Sequence, residues 1–208
     1  PVCSLLAKKA HRPVRIINTR REDILSGKAR VPMFIDIRLA GSKDGIITAQ
    51  DWKIIADNGC YSYYASDILV SAATRHNCLY RLKNVNLEAK LVYTNNVATC
   101  ACRGFGNPQS HFAVESAIDM LAEELSIDPL EIRQKNSTQK GDLTIHGWQI
   151  DSCGYPECLE KSAASIDWQK NKKQKNKWQG IGIAGCLHVS GNRSFIPQFD
   201  GSSATVIV

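Results

Sequence analysis

The seven residues Arg103-Gly104-Phe105-Gly106-Asn107-Pro108-Gln109 constrain this chain more than any other stretch. They follow a strand-like run and precede the longest amphipathic segment. Glycine permits positive φ and close backbone approach, and Pro108 fixes its own φ at a value suited to a first helical turn. The spacing predicts a strand, a tight loop and a helix start, with Arg103 and Phe105 at the apex. Amides of such a turn can receive an anionic or carbonyl oxygen, and the Phe105 ring can lie against a flat substrate or cofactor. A plainer reading competes with it, in which Arg103 pairs locally and Phe105 plugs a core.

A chain of 208 residues can bury the core of one large domain or two small ones. No apolar run approaches the ~18 residues that would span a membrane. The chain opens on Pro1 without a signal peptide and closes at Val208 on a strand-like run, so it reads as the inside of a longer polypeptide. Much of the formal charge of +6 comes from Lys170, Lys172, Lys173, Lys175 and Lys177. That stretch reads as a solvated surface, and nucleic acid is not an expected partner because no shaped basic face or known reader accompanies it.

Eight cysteines, at 3, 60, 78, 100, 102, 153, 158 and 186, permit a disulfide framework, but a chain of this length does not need one. They read as reduced core cysteines of a cytoplasmic protein. Cys100-x-Cys102 lacks the further ligands of a metal site. The histidines at 11, 76, 111, 146 and 188 form no His-x-x-x-His pair and read as surface or structural residues. No metal ligands are predicted. There is no Gly-x-Ser-x-Gly elbow, and Gly180-x-Gly182-x-x-Gly185 lacks the following helix of a dinucleotide fingerprint.

In order, the pattern predicts a helix over Val2–Ala10, a short strand at Val14–Ile17 and a turn with a short helix over 19–25. A strand at Met33–Leu39 then turns at Asp44-Gly45 into a long, bulged strand over 46–57. Two strand candidates follow at 84–87 and 89–93. After Gln109, the residues Phe112, Ala113, Ala117, Met120, Leu121 and Leu125 recur at helical spacing and read as a buried face, with Glu115, Asp119, Glu123 and Glu124 opposite. Asp128-Pro129-Leu130-Glu131 carries an N-cap, a proline at N1 and a capping-box glutamate. A helix from Tyr155 toward Gln169, a strand at Gly180–Cys186, a turn at Asp200-Gly201 and a strand from Ala204 complete the chain. The fold class is α+β, without the regular repeat of a doubly wound sheet.

Cys102-Arg103-Gly104-Phe105-Gly106-Asn107-Pro108-Gln109 with its helix, Asp128-Pro129-Leu130-Glu131-Ile132-Arg133-Gln134-Lys135-Asn136 and Gly141-Asp142 together resemble the molybdenum-binding catalytic subunit of the xanthine dehydrogenase/aldehyde oxidase family. Arg12-Pro13-Val14-Arg15, Arg21-Glu22-Asp23 and Asp57-Asn58-Gly59 support the same alignment, which runs over nearly the whole chain. The resemblance implies an internal portion of the molybdopterin-binding region: 1–150 in a first binding domain, 151–179 a helical, lysine-rich connector, and 180–208 the beginning of a second. It implies a pyranopterin molybdenum cofactor, and 2Fe-2S clusters and FAD in partner domains or subunits, in a cytoplasmic multisubunit enzyme.

By the same resemblance, Arg103, Gly104 and Gly106 bind the cofactor and Phe105 lies near the substrate, an aromatic or heteroaromatic molecule that is hydroxylated or reduced. Gly104–Gln109 and Ser190-Gly191-Asn192-Arg193 look like the hydroxybenzoyl-CoA reductase branch. Purine-specific members carry an arginine where Ser71 falls, and Arg75 is offset from it, which speaks against a purine substrate. The family's cofactor-binding glutamine and catalytic glutamate have no counterpart here, so no catalytic residue is assigned; Glu115, Glu131 and Glu160 are not promoted to general base. The alternative is a noncatalytic structural or assembly segment of a multisubunit complex.

Overall fold

Strict alternation from Met33 to Gly41 turns every second side chain inward, and this strand anchors the architecture. A computed structural model describes residues 1–173, 178–188 and 204–206. Among these, the elements in chain order are α1 (Val2–Ala10), α2 (Arg20–Ser26), β1 (Ala29–Arg30), β2 (Met33–Gly41), β3 (Ile47–Gly59), α3 (Ala65–Arg75), β4 (Asn84–Tyr93), β5 (Thr99–Cys100), α4 (Asn107–Glu124), α5 (Pro129–Asn136), α6 (Tyr155–Ser165) and α7 (Trp168–Asn171). The mixture is α+β, as the pattern predicts.

At the Asp44-Gly45 turn, Gly45 takes a φ of 87° and its N–H donates to the Ser42 carbonyl at 2.9 Å. β2 and β3 pair antiparallel, with a register shift at Ala40/Gly41 that matches the expected bulge. α3 then carries the chain across so that β4 joins β3 in parallel, giving the sheet order β2-β3-β4. The two strand candidates of 84–93 are one strand, because pairing to β3 continues through Glu88.

One sheet face is covered. Trp52, Ile54 and Ala56 of β3 pack in one buried cluster with Ile68 of α3 and with Val114, Ile118 and Ala122 of α4. On the other face the register sets Asp36 opposite Lys53 and Lys53 opposite Glu88, a charged cross-strand ladder suited to water.

The buried face of α4 differs from its apolar periodicity. Phe112 and Met120 are 78% and 71% exposed, whereas Asn107, Ser110, His111, Val114, Glu115, Ile118 and Ala122 are buried. The reason lies on α5. Arg133, whose side chain is fully buried, donates from Nε to Glu115 Oε2 at 2.7 Å and from Nη1 to Asp119 Oδ1 at 2.7 Å. A buried ion pair rotates a charged position inward, and hydrophobic spacing does not register it.

Asp128 caps α5 by accepting from the Leu130 N–H at 2.7 Å, and it also accepts from Trp168 Nε1 at 3.0 Å and from Lys172. Burial opposes ionisation of Asp128, yet these donors hold its carboxyl below the usual range. Glu131 does not close the expected capping box and pairs instead with Lys135 at 2.7 Å. That reciprocal box occurs on α2, between Thr19 and Glu22.

Three strand expectations fail among the described residues. Val14–Ile17 and Gly180–Cys186 are irregular, since neither has a strand beside it to supply ladder bonds. Ile183 instead plugs a second small cluster with Leu130, Leu159, Ala163 and Trp168. Ala204–Val206 is also irregular. The expected Asp200-Gly201 turn and the Ser190–Arg193 motif lie outside the described residues. The segment beginning at Tyr155 divides into α6 and α7 around Ile166-Asp167, with Asp167 at a φ of 47°. The cysteines are not core residues: all eight are free thiols, Cys60, Cys102, Cys158 and Cys186 being exposed and the others half-buried.

His76 follows α3 and stacks on Trp52, with ring centroids 4.0 Å apart. Burial pushes its pKa from 6.5 down to about 3. Between those values the unfolded chain binds a proton that the folded chain refuses, so stability falls as pH drops from 6.5 toward 3, by up to ~1.4 kcal/mol per pH unit. Burial also lowers the pKa of His111 and steepens the loss. Urea midpoints measured from pH 7 down to about 4.5, above the main carboxylate range, are expected to fall, and His76→Phe is expected to flatten the slope. An equal slope in that variant would refute the assignment.

Candidate functional site: the loop entering α4

β5 is too short to stand alone; it pairs in parallel with β1, Ala29 with Thr99 and Arg30 with Cys100. That pairing delivers the chain to Arg103 from a fixed direction. Gly104, Phe105 and Gly106 then take φ values of 95°, 48° and 90° in succession. Phe105 is the unusual member, because a bulky residue rarely adopts positive φ. The turn is closed by the Phe105 N–H donating to the Cys102 carbonyl at 2.9 Å and the Asn107 N–H donating to the Gly104 carbonyl at 3.0 Å.

Gly106 has no room for a side chain: a Cβ there would lie 2.5 Å from the Ile68 carbonyl oxygen on α3. The loop is therefore seated on backbone, not on adjustable side chains. Phe105 is half-buried against the main core cluster. Arg103 is exposed, and its guanidinium has no hydrogen-bond or ion-pair partner among the described residues.

A second arginine braces the apex. Arg30 donates from Nη2 to the Arg103 carbonyl at 2.8 Å and from Nη1 to Gln109 Oε1 at 3.4 Å. Gln109 in turn donates to the Val31 carbonyl at 3.0 Å. At the base of the loop, the Asn107 amide nitrogen meets the Gly104 carbonyl at 3.1 Å, Ser71 Oγ at 3.4 Å and His188 Nδ1 at 2.7 Å. The Asn107 carboxamide oxygen is buried without a partner among the described residues.

These features suit an anionic ligand rich in hydrogen-bonding groups. Arg103 offers charge, the Gly104 N–H has no acceptor among the described residues, and the orphaned Asn107 oxygen calls for a donor. A cavity of about 360 Å³ lies elsewhere, lined by Tyr80, Arg81, Lys135, Thr138 and Asp142 among others. Of its charged lining groups, Arg81 pairs with Asp142 at 3.9 Å, and Lys135 pairs with Glu131 outside the cavity at 2.7 Å. The loop, whose Arg103 guanidinium has no partner among the described residues, is the stronger site.

The family profile described as the molybdopterin cofactor-binding domain matches residues 1–137, the stretch that contains this loop. The chain belongs to that family. Relatives of the molybdopterin-binding domain include the xanthine dehydrogenase molybdenum-binding subunit of Escherichia coli O157:H7, 32% identical over 194 residues, covering 90% of this chain and 26% of that protein. The nicotinate dehydrogenase large molybdopterin subunit of Eubacterium barkeri is 34% identical over 161 residues, covering 77% of this chain and 38% of that subunit. Among solved structures, the aldehyde oxidoreductase of Desulfovibrio gigas superposes with a TM-score of 0.67 at 31% identity, over 72% of this chain and 17% of its own. The chain thus spans well under half the length of these relatives.

The four residues singled out from sequence, Arg103, Gly104, Phe105 and Gly106, fall together at the apex of this molybdopterin-binding domain's loop. Sequence reasoning placed Gln109 in the motif and read His111 and His188 as surface or structural residues, but it did not link Arg30, Gln109, His111 and His188 to the loop as its supports. Arg30, Gln109 and His188 each reach it or its brace across more than seventy residues, and His111 is tied to Leu187 over 76. On α3, the Ser71 hydroxyl meets the Asn107 amide. Glu115 is accounted for structurally, with Tyr80 Oη donating to its Oε1 at 2.6 Å and Arg133 to its Oε2 at 2.7 Å. Among the described residues, no three His, Cys, Asp or Glu side chains converge to hold a metal ion.

Proposed function

We propose that this chain is the loop-bearing segment of the molybdenum-binding catalytic polypeptide of an oxidoreductase that hydroxylates or reduces an aromatic or heteroaromatic substrate. The observation that carries the reading is the Arg103–Gly106 apex itself, a half-buried aromatic ring and a guanidinium without a partner among the described residues, on a turn packed closely against the Ile68 backbone. The molybdopterin cofactor, when bound, supplies the redox chemistry.

Arg103 and the Gly104 and Gly106 backbone would hold the cofactor's anionic and polar groups, and Arg30 keeps the Arg103 backbone in place. Phe105 offers a flat apolar face toward the substrate side, which selects planar molecules over extended polar ones. Asn107 supplies the remaining acceptor. Glu115 is not a proton-transfer group in this scheme, because Arg133 and Tyr80 occupy both of its oxygens. The acid or base of the reaction belongs to the rest of the polypeptide.

In this reading residues 1–150 belong to a first cofactor-binding domain, 151–179 to a connector and 180–208 to the start of a second. The rest of the polypeptide, 2Fe-2S and flavin-bearing domains or subunits and a cytoplasmic location complete the proposal. No helix among the described residues is long and apolar enough to cross a membrane.

The test is cofactor retention in the full-length parent protein. Arg103→Ala is expected to weaken retention of molybdenum and pterin by roughly 10- to 100-fold, the range for losing a charged hydrogen bond. Metal analysis and pterin fluorescence after gel filtration read it out. A parent protein without molybdenum, or a variant that retains the cofactor as tightly as the wild type, would overturn the reading.

A further inference from the structure

We propose that His188 is a positioning residue for the Arg103–Gln109 loop, holding Asn107 at the base of α4 through its Nδ1 atom. The inference rests on the cofactor reading for one of its two measurements only.

Residues 181–188 form no helix or strand, yet the chain is pinned along this path. Ile183 is buried in the second cluster. Gly185 lies against the Tyr155 ring so closely that a Cβ would sit 2.4 Å from the phenolic oxygen. The Leu187 N–H donates to His111 Nε2 at 3.2 Å. These contacts bring His188 to the start of α4.

The hydrogen-bond directions follow from the neighbours. His111 Nε2 accepts from Leu187, so its proton is on Nδ1, which donates to the Asn107 carbonyl at 2.8 Å. The Asn107 side-chain nitrogen faces the Gly104 carbonyl at 3.1 Å, where an amide oxygen would repel it. Nitrogen therefore also faces His188 Nδ1 at 2.7 Å, and that ring atom must be the acceptor. Its proton then sits on Nε2, on an exposed ring.

Asn107 is thereby gripped twice from outside the loop: His111 holds its backbone carbonyl and His188 its side-chain amide. The same amide reaches the Gly104 carbonyl, the middle of the left-handed turn. A displacement of Asn107 would pass directly to Gly104 and Phe105. His188 acts through Asn107 and need not touch the reacting molecule.

The experiment compares the full-length parent protein with His188→Ala and His188→Asn, whose Oδ1 can stand in for Nδ1. Amide hydrogen exchange at Phe105, Asn107 and Ser110 is expected to quicken roughly 5- to 10-fold in H188A, the effect of losing one hydrogen bond. It is expected to return to within about twofold of wild type in H188N. Molybdenum retention should follow the same order. Unchanged exchange in H188A, or H188N exchanging as fast as H188A, would overturn the proposal. If the wild-type parent holds no molybdenum while the exchange pattern appears, the cofactor reading falls and the positioning role stands. If wild type holds molybdenum and H188A neither loosens the loop nor loses metal, the positioning role falls alone.

Discussion

Replacing Arg133 by methionine is expected to lower the unfolding free energy by about 3–5 kcal/mol, the cost of breaking a buried ion pair by deleting one partner. The side chain of Arg133 is fully buried and that of Glu115 is 6% exposed, so water cannot take over the abandoned carboxylate. Arg133 also donates to the Pro129 carbonyl at 2.9 Å and to the Glu115 carbonyl at 3.2 Å, which ties α5 to the middle of α4. Burial works against its charge, but Glu115, Tyr80 and Asp119 more than compensate and push its pKa up. Tyr80 meets the same carboxylate and, at 2.8 Å, the Tyr155 hydroxyl, whose pKa burial pushes up to about 12. Urea unfolding of Arg133→Met against the double variant Glu115→Gln/Arg133→Met separates the causes. The double variant is expected to recover much of the loss, because no charge is left buried. A single variant within about 1 kcal/mol of wild type, the size of an ordinary surface effect, would show that the pair is solvated and dispensable.

Gly106→Val carries the second large effect, expected at about 3 kcal/mol together with loss of cofactor retention. Two independent causes add. A φ of 90° is strained for any residue with a Cβ. The new Cβ would also come within 2.5 Å of the Ile68 backbone oxygen and 3.1 Å of the Ala72 methyl, so α3 and α4 would have to separate at the loop itself. Gly141→Ala is the control, because Gly141 has a φ of 93° but nothing within 4 Å of its would-be Cβ. That substitution should cost about 1 kcal/mol and leave cofactor retention unchanged. Equal losses from the two would mean that backbone strain, not the contact with α3, governs position 106.

Local rules carried much of the fold. Alternation in 33–39, the Asp44-Gly45 turn, the Asp128-Pro129 cap and the helix over 2–10 each depend on neighbours a few residues away, and each is found where the pattern places it. The Arg103–Gly106 apex was legible for the same reason, since glycine and proline announce a turn by their own backbone limits. Strand expectations at Val14–Ile17 and Gly180–Cys186 failed because a strand exists only through a partner, and apolar composition does not name one.

The inward face of α4 was the instructive error. Phe112 and Met120 have the spacing of a core stripe, but a helix has one rotation about its axis and that rotation satisfies the whole neighbourhood. Leaving Arg133 and Glu115 unpaired would cost more than exposing two apolar side chains, so the ion pair and the small residues packed beside it set the phase.

The sequence by itself determined the elements whose causes are local and the loop whose glycines mark it, and its order of motifs placed the chain in its family. Tertiary structure alone decided which face of α4 is buried and which residues brace the loop. Arg30 lies 73 residues from the carbonyl it holds and His188 lies 81 from the amide it meets. Contacts of that range leave no periodicity in the chain; they arise only when packing brings distant segments together, where a polar group that loses water gains by finding a partner.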